Sequence, residues 1–209
     1  MELENALQWR YSVKQFSEQK VSQQNLNTLL ELTRLSASSY GLQPYKIIVI
    51  ESAVIRQQLV PYSYGQDKVA NSSHLIIFAA QTEIGNATVD RYITKHNQIT
   101  NSTSEQLAPY ANHMKMALKQ KSDEQKQQWA HQQAYIALGN FITCAAAMKI
   151  DTCPMTGFDT TKYDSILALE SEGLTASVIC PIGYRSQDDA QAAMPKVRFA
   201  FDELMIFKS

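Results

Sequence analysis

The chain has 209 residues, 44% of them hydrophobic, and its 19 basic residues set against 20 acidic ones leave a formal net charge of -1. Such a length and composition match one globular domain over residues 1–209, and the even charge excludes the basic face that a nucleic-acid partner needs. No apolar run approaches the roughly 20 residues that span a bilayer, and the start MELENALQWR lacks the features of a secretory signal, so a cytoplasmic protein without a membrane partner is expected.

Leu3, Ala6 and Leu7 recur at helical spacing and predict an amphipathic helix over residues 3–9. Ser22 is placed to cap a second helix that carries Leu26, Leu29, Leu30 and Thr33 along one side. The polar stretch SASSYGLQPY marks a turn and runs into a short strand over Lys46–Glu51, after which Ser52 caps a helix over residues 53–60. HLIIFAAQT, residues 74–82, is continuously apolar and predicts a central strand buried on both faces.

Residues 86–121 are polar with widely spaced apolar positions, the pattern of a helical but mobile excursion or lid. Within its stretch 109–118, Tyr110 and Met114 are either gate residues or ordinary helix packing, packing being the favoured reading. Residues 123–149 form a long helix that becomes apolar around its whole circumference, suited to a core or a subunit interface. Gly139 and the alanines Ala145 to Ala147 allow close approach there. CPMTGFD is a loop, followed by a helix over Thr160–Leu169 and a strand over Thr175–Tyr184. The apolar run Leu204–Phe207 predicts a terminal strand that finds its partner on another subunit. Few strands among long helices make the fold α+β.

Three widely spaced cysteines in apolar contexts, Cys144, Cys153 and Cys180, predict buried free thiols rather than a disulfide framework. The four histidines, His74, His96, His113 and His131, show no metal-ligand spacing, and no metal is expected. GxGxxG, GxxxxGK[ST] and GxSxG are all missing, so chemistry without a conspicuous protein nucleophile points to a bound cofactor.

Two cation clusters are the main functional signal. Arg10, Tyr11, Ser12 and Lys14 lie in RYSVKQF near one end, and Lys196 and Arg198 in MPKVRF near the other. Arginine offers a planar fork of donors to phosphate oxygens, lysine a mobile point charge, and serine a hydroxyl. In an extended segment Lys196 and Arg198 project to the same face, where they can share one dianion. Each cluster alone is more often a solvated charge pair than a site.

The ordered blocks RYSVKQF, SASSYGLQPYKIIVI, YGQDKVANSSHLIIFAAQT, LGNF, PMTGFD and PKVRF resemble the FMN-dependent nitroreductase family over essentially the whole chain. The resemblance implies an α+β homodimer with a central, mostly antiparallel sheet packed by helices. It further implies a long interface helix, a C-terminal segment exchanged between subunits, and FMN sites between them. Arg10, Ser12, Lys196 and Arg198 would then hold the FMN phosphate, with Tyr11 contributing its backbone, and Lys14 would face the N1/O2 edge of the flavin in a catalytic, electrostatic role. Ser38, Ser39, Gly41 and Gln43 would reach the cofactor from the neighbouring subunit, and Gln66 and Lys68 would line the polar edge of the ring. Pro154, Met155, Thr156 and Gly157 would form the loop beneath the ring, with Thr156 where many relatives have glutamate.

The activity so implied is ping-pong transfer of hydride from NADPH or NADH, through FMN, to a small acceptor such as a nitroaromatic or a quinone. Three alternatives remain at this point. One is a flavoprotein specialised for another reduction, of an enone, a halogenated compound or free flavin. The others are a non-catalytic FMN-binding protein and a helical interaction protein without cofactor.

Overall fold

The computed structural model describes residues 2–208. Their elements are α1 (Leu3–Trp9), α2 (Gln23–Arg34), β1 (Tyr45–Ile50), α3 (Ala53–Leu59), α4 (Lys68–Asn71), β2 (His74–Gln81), α5 (Asn86–Thr100), α6 (Ser104–Lys119), α7 (Asp123–Ala147), β3 (Asp151–Thr152), α8 (Thr160–Ile166), β4 (Leu174–Gly183) and α9 (Phe201–Leu204). The four strands form one antiparallel sheet in the order β1-β2-β4-β3, with helices on both of its faces. The fold is α+β, as expected.

β2 is central because its apolar run supplies both faces. Ile76 and Phe78 enter one core with Phe141 and the alanines of α7, while Leu75, Ile77 and Ala79 enter a second core with Leu59, Phe158 and Tyr163. Alternation along a strand sends successive side chains to opposite sides, so a continuous apolar run serves two cores at once. Each fully buried Ile, Leu or Phe contributes about 1.5–3 kcal/mol relative to exposure. Along α7, Ala130, Ala134, Ala137 and Phe141 make the stripe that meets the sheet, and Phe141 packs edge-on against Phe78 at 5.5 Å between ring centroids. The opposite side of α7 leaves Tyr135 and Ile136 exposed. Ser22 and Ser52 cap α2 and α3 as predicted, accepting from the Asn25 and Ile55 N–H groups at 3.2 and 3.3 Å.

Three expectations need refinement. Residues 86–121 are helical as expected, a hairpin of α5 and α6 whose Val89, Ile93, Ala111, Met114 and Leu118 pack with Leu42, Ala80 and Ala130 in a third core. The apolar positions are sparse because only one narrow stripe of each helix is covered. Met114 is fully buried and therefore packs, whereas Tyr110 is 38% exposed. Second, Leu204–Phe207 is no strand in the single chain: α9 makes one helical turn and residues 205–208 are irregular, with Leu204, Ile206 and Phe207 exposed. A strand needs a partner edge, and this segment meets none within one chain. Third, the cysteines are all free, but only Cys153 and Cys180 are buried, Cys144 being half-buried.

Beyond α1 the chain runs extended and docks beside β3 and the end of β4. Val13 N–H donates to the Thr152 carbonyl at 3.3 Å, Ser17 N–H to Tyr184 at 2.8 Å, and Ser186 N–H to Gln15 at 2.9 Å. Val13 is completely buried, so its neighbours Ser12 and Lys14 turn the other way, toward the surface.

Candidate functional site

The first cation cluster sits on this docked segment, and two buried carboxylates organise it. Asp189, 3% exposed, accepts through Oδ2 from the Tyr11 hydroxyl at 3.0 Å and from the Lys14 and Gln15 N–H groups at 2.8 and 3.2 Å. Its Oδ1 accepts from the Gln191 N–H at 3.0 Å. Burial works to raise the Asp189 pKa, but the N–H donors of Lys14, Gln15 and Gln191 and the Tyr11 hydroxyl outweigh it, and the carboxyl stays below the ordinary value. Asp151, also 3% exposed, makes a forked ion pair with Arg185, whose Nε and Nη2 lie 3.0 and 2.5 Å away from Oδ1. The Arg185 guanidinium is stacked between two rings, 4.1 Å from the Trp9 centroid and 4.5 Å from that of Tyr11. The Tyr11 hydroxyl is held up above its usual pKa, first by burial and then by the bond to Asp189.

The second cluster arrives on an extended segment. Arg10, Ser12, Lys14, Lys196 and Arg198 line one cleft of about 290 Å³, which Tyr11 also borders. Lys196 Nζ donates to the Arg10 carbonyl, joining the two ends of the chain. Among the described residues, none of these four cations forms an ion pair with a carboxylate. Arg10 Nε is buried with no hydrogen-bond partner. Burial lowers the Arg10 pKa and Arg198 lowers it further; burial, Arg10 and Arg198 do the same to Lys196. A cleft with converging cations, an unpartnered guanidinium donor and the Ser12 hydroxyl at its edge fits a phosphate dianion.

A second cavity of about 520 Å³ adjoins it, lined by Lys14, Phe16, Gln66, Lys68, Asn71 and Ser186. Lys14 borders both cavities, so together they make an elongated site with a cationic end and a mixed polar end. Gln66 already donates its Nε2 to the Ser63 and Gly157 carbonyls at 3.0 and 3.3 Å, which leaves its Oε1 for a ligand. Gly157 thereby ties the Pro154–Gly157 loop to this wall. Met155 is buried in the second core and exchanges backbone bonds with Ile179 at 2.8 and 3.1 Å, so its side chain packs. Thr156 is exposed, and no protein group among the described residues accepts from its N–H.

One predicted group lies elsewhere in the single chain. Ser38, Ser39, Gly41 and Gln43 form a tight turn between α2 and β1, with Ser39 N–H donating to Gln133 Oε1 at 2.8 Å and Gln43 N–H to Ser38 Oγ at 3.1 Å. Gly41 and Gln43 line a different pocket, with Tyr92, Lys46 and Lys95. Gly41 needs to be glycine twice over, since its φ is +71° and an added Cβ would come within 2.9 Å of the Tyr92 ring. Tyr40 and Gln43 share the left-handed conformation, at φ 56° and 42°.

Sequence reasoning passed over Asp189, Asp151, Arg185 and Trp9. Asp189 has one cue, the carboxylate-bearing run QDD between the last strand and the second cation cluster, which on its own is ordinary surface composition.

The model of the nitroreductase family matches residues 7–184. The chain belongs to the nitroreductase family. A Staphylococcus haemolyticus protein provisionally named NAD(P)H nitroreductase is 36% identical over 196 residues, covering 88% of each chain. Among solved structures, a Bacillus subtilis protein described as a nitroreductase superposes with a TM-score of 0.88 at 20% identity over 98% of both chains. An Exiguobacterium sibiricum protein solved in complex with FMN superposes with a TM-score of 0.84 at 17% identity, covering 100% of this chain and 98% of its own. Membership makes this chain an oxidoreductase by family. Among its described residues, no helix is long and apolar enough to cross a membrane.

Proposed function

We propose that this member of the nitroreductase family is an FMN-dependent NAD(P)H oxidoreductase. It passes electrons in two half-reactions from NADPH or NADH to a small acceptor such as a nitroaromatic or a quinone. The observation that carries the proposal is the convergence of Arg10, Lys196 and Arg198 on one cleft without a carboxylate partner, continued past Lys14 by a second cavity. The name of the Staphylococcus haemolyticus relative and the FMN in the Exiguobacterium structure support it.

FMN, if bound here, would supply the hydride chemistry. The chain positions and polarises. Arg10, Ser12, Lys196 and Arg198 hold the phosphate, and the Tyr11 backbone completes that end. Lys14, at the junction of the cavities, would set a positive charge beside the ring and so favour negative charge there. Gln66 Oε1 and Lys68 address the polar edge. The Pro154–Gly157 loop presents the free Thr156 N–H, a donor without the carboxylate that many relatives carry there.

The working unit is a homodimer of single-domain subunits. In it Ser38, Ser39, Gly41 and Gln43 of one copy complete the site of the other, and the exposed segment around Phe201–Phe207 lies on its partner. The apolar residues left uncovered on that segment and on α7, Tyr135 and Ile136 among them, support this assembly.

The test is the visible spectrum of the purified protein, anaerobically, before and after adding NADPH and then a nitrofuran. A yellow protein that bleaches with the donor and recovers with the acceptor is expected. A colourless protein that takes up no added FMN would refute the proposal. Sedimentation of the same sample tests the dimer.

A further inference from the structure

Asp189 is the last buried residue of the described chain: every residue from Ala190 to Lys208 is exposed. The second cation cluster therefore hangs from it. Past Asp189 the chain makes one short helical turn, Ala190–Ala193, whose first N–H groups Asp189 itself caps, and then runs extended through Lys196 and Arg198. The same carboxylate gathers three donors from the first cluster's segment, Tyr11 Oη–H, Lys14 N–H and Gln15 N–H, across a separation of at least 174 positions. It forms no ion pair with Arg10, Lys14, Lys196 or Arg198, and it does not border the cleft. Its charge is balanced by N–H and O–H dipoles, so the cleft keeps its positive charge for a ligand.

We infer that Asp189 is a positioning residue that holds the two cation clusters in register, so that Arg10 and Ser12 on one segment and Lys196 and Arg198 on the other meet the same phosphate. This rests on the FMN assignment above and specifies which residue assembles its phosphate end. The alternative is a carboxylate that stabilises the fold without regard to the cleft. The two differ in what they do to phosphate recognition. A register device couples to Arg198 and acts on ligands that carry the phosphate; a general stabiliser does neither.

The experiment measures the affinity of apo-protein for FMN and for riboflavin, which lacks the phosphate, in wild type, D189A, D189N, R198A and the D189A/R198A double variant. D189A is expected to weaken FMN binding about tenfold or more while changing riboflavin binding less than about threefold. R198A should matter much less in the D189A background than in wild type, because the arginine is no longer held at the phosphate. Asparagine keeps one acceptor oxygen for the Tyr11, Lys14 and Gln15 donors but turns its NH₂ toward Gln191, so D189N should restore part of the FMN affinity. Equal losses for FMN and riboflavin, or an R198A effect that is the same in both backgrounds, would overturn the inference. Should D189A fail to fold, the ligand comparison and the cycle are run on D189N and Y11F, the latter removing one of the four donors. Wild-type protein that binds FMN no better than riboflavin would instead refute the phosphate assignment itself, a result separable from any behaviour of Asp189.

Discussion

The two cation clusters share a cleft but are built in opposite ways. The first stands on finished structure: Val13 is buried beside β3, Asp189 collects the Lys14 and Gln15 N–H groups, and Arg185 is clamped between Asp151, Trp9 and Tyr11. The second stands on an exposed, irregular segment whose Arg198, among the described residues, donates only to the carbonyl of its neighbour Val197. One half of the site is therefore set by folding, and the other is exposed and tethered to it through Asp189 and Lys196. Stability and ligand affinity should separate along the same line.

The largest expected effect is on the folded half. Arg185→Ala leaves the buried Asp151 carboxylate without its cation, and breaking such a pair costs about 3–5 kcal/mol. Urea unfolding of the ligand-free protein should show a loss of that order. A loss below about 1 kcal/mol would mean that the first cluster is not anchored by the core, and the contrast would collapse.

Next comes the exposed half. Arg198→Ala removes charge-assisted bonds worth about 1.5–3 kcal/mol, so FMN should dissociate more readily by about ten- to a hundredfold. Because Arg198 is exposed, the unfolding free energy of the ligand-free variant should stay within about 0.5 kcal/mol of wild type. An unchanged FMN affinity would remove the phosphate assignment, and a large loss of stability without ligand would show that both halves belong to the core.

What could be read from the sequence follows the range of the interactions involved. β2 was legible because a continuous apolar run needs cover on both sides, and Ser22 and Ser52 because a cap and its helix are three residues apart. The hairpin of α5 and α6 was harder to see, since its start signals are polar: Thr103 and Gln106 bond reciprocally, at 2.8 and 3.3 Å, inside a stretch that otherwise looks solvated. Leu204–Phe207 shows the limit of an apolar run, which says that cover is wanted but not where it comes from. At the site, Arg10, Lys196 and Arg198 could be singled out by charge, and the family resemblance gave them a common ligand. Asp189 could not be found this way, because its partners at Tyr11 and Lys14 lie 178 and 175 positions distant and nothing in a local window links them.

The smallest expected effect is a pH dependence that divides the molecule along another line. Burial pushes His74 and His131 below their ordinary value of 6.5, against opposing contributions from Glu51 and Asp164 respectively. Both face the helix–sheet body: His131 Nδ1 lies 2.6 Å from Ser177 Oγ on β4, and His74 Nδ1 lies 2.9 Å from Ser73 Oγ. A depressed native pKa means that the unfolded chain binds the proton first. The contribution of these imidazoles is therefore complete above about pH 6.5 and is lost as pH falls through their lower native values. Asp189 is depressed from 3.8, so its contribution is complete above about pH 4 and is lost only at more acidic pH. Unfolding free energies measured from pH 8 to pH 3 should thus decline in two windows. His74→Asn with His131→Asn should flatten the upper window and leave the lower one, whereas Asp189→Asn should shrink the lower window, to which Glu105 and Asp123 also contribute, and leave the upper one. A single window abolished by either set of substitutions would mean that body and cleft titrate as one unit, and that the two halves of the site are less independent than their hydrogen bonding indicates.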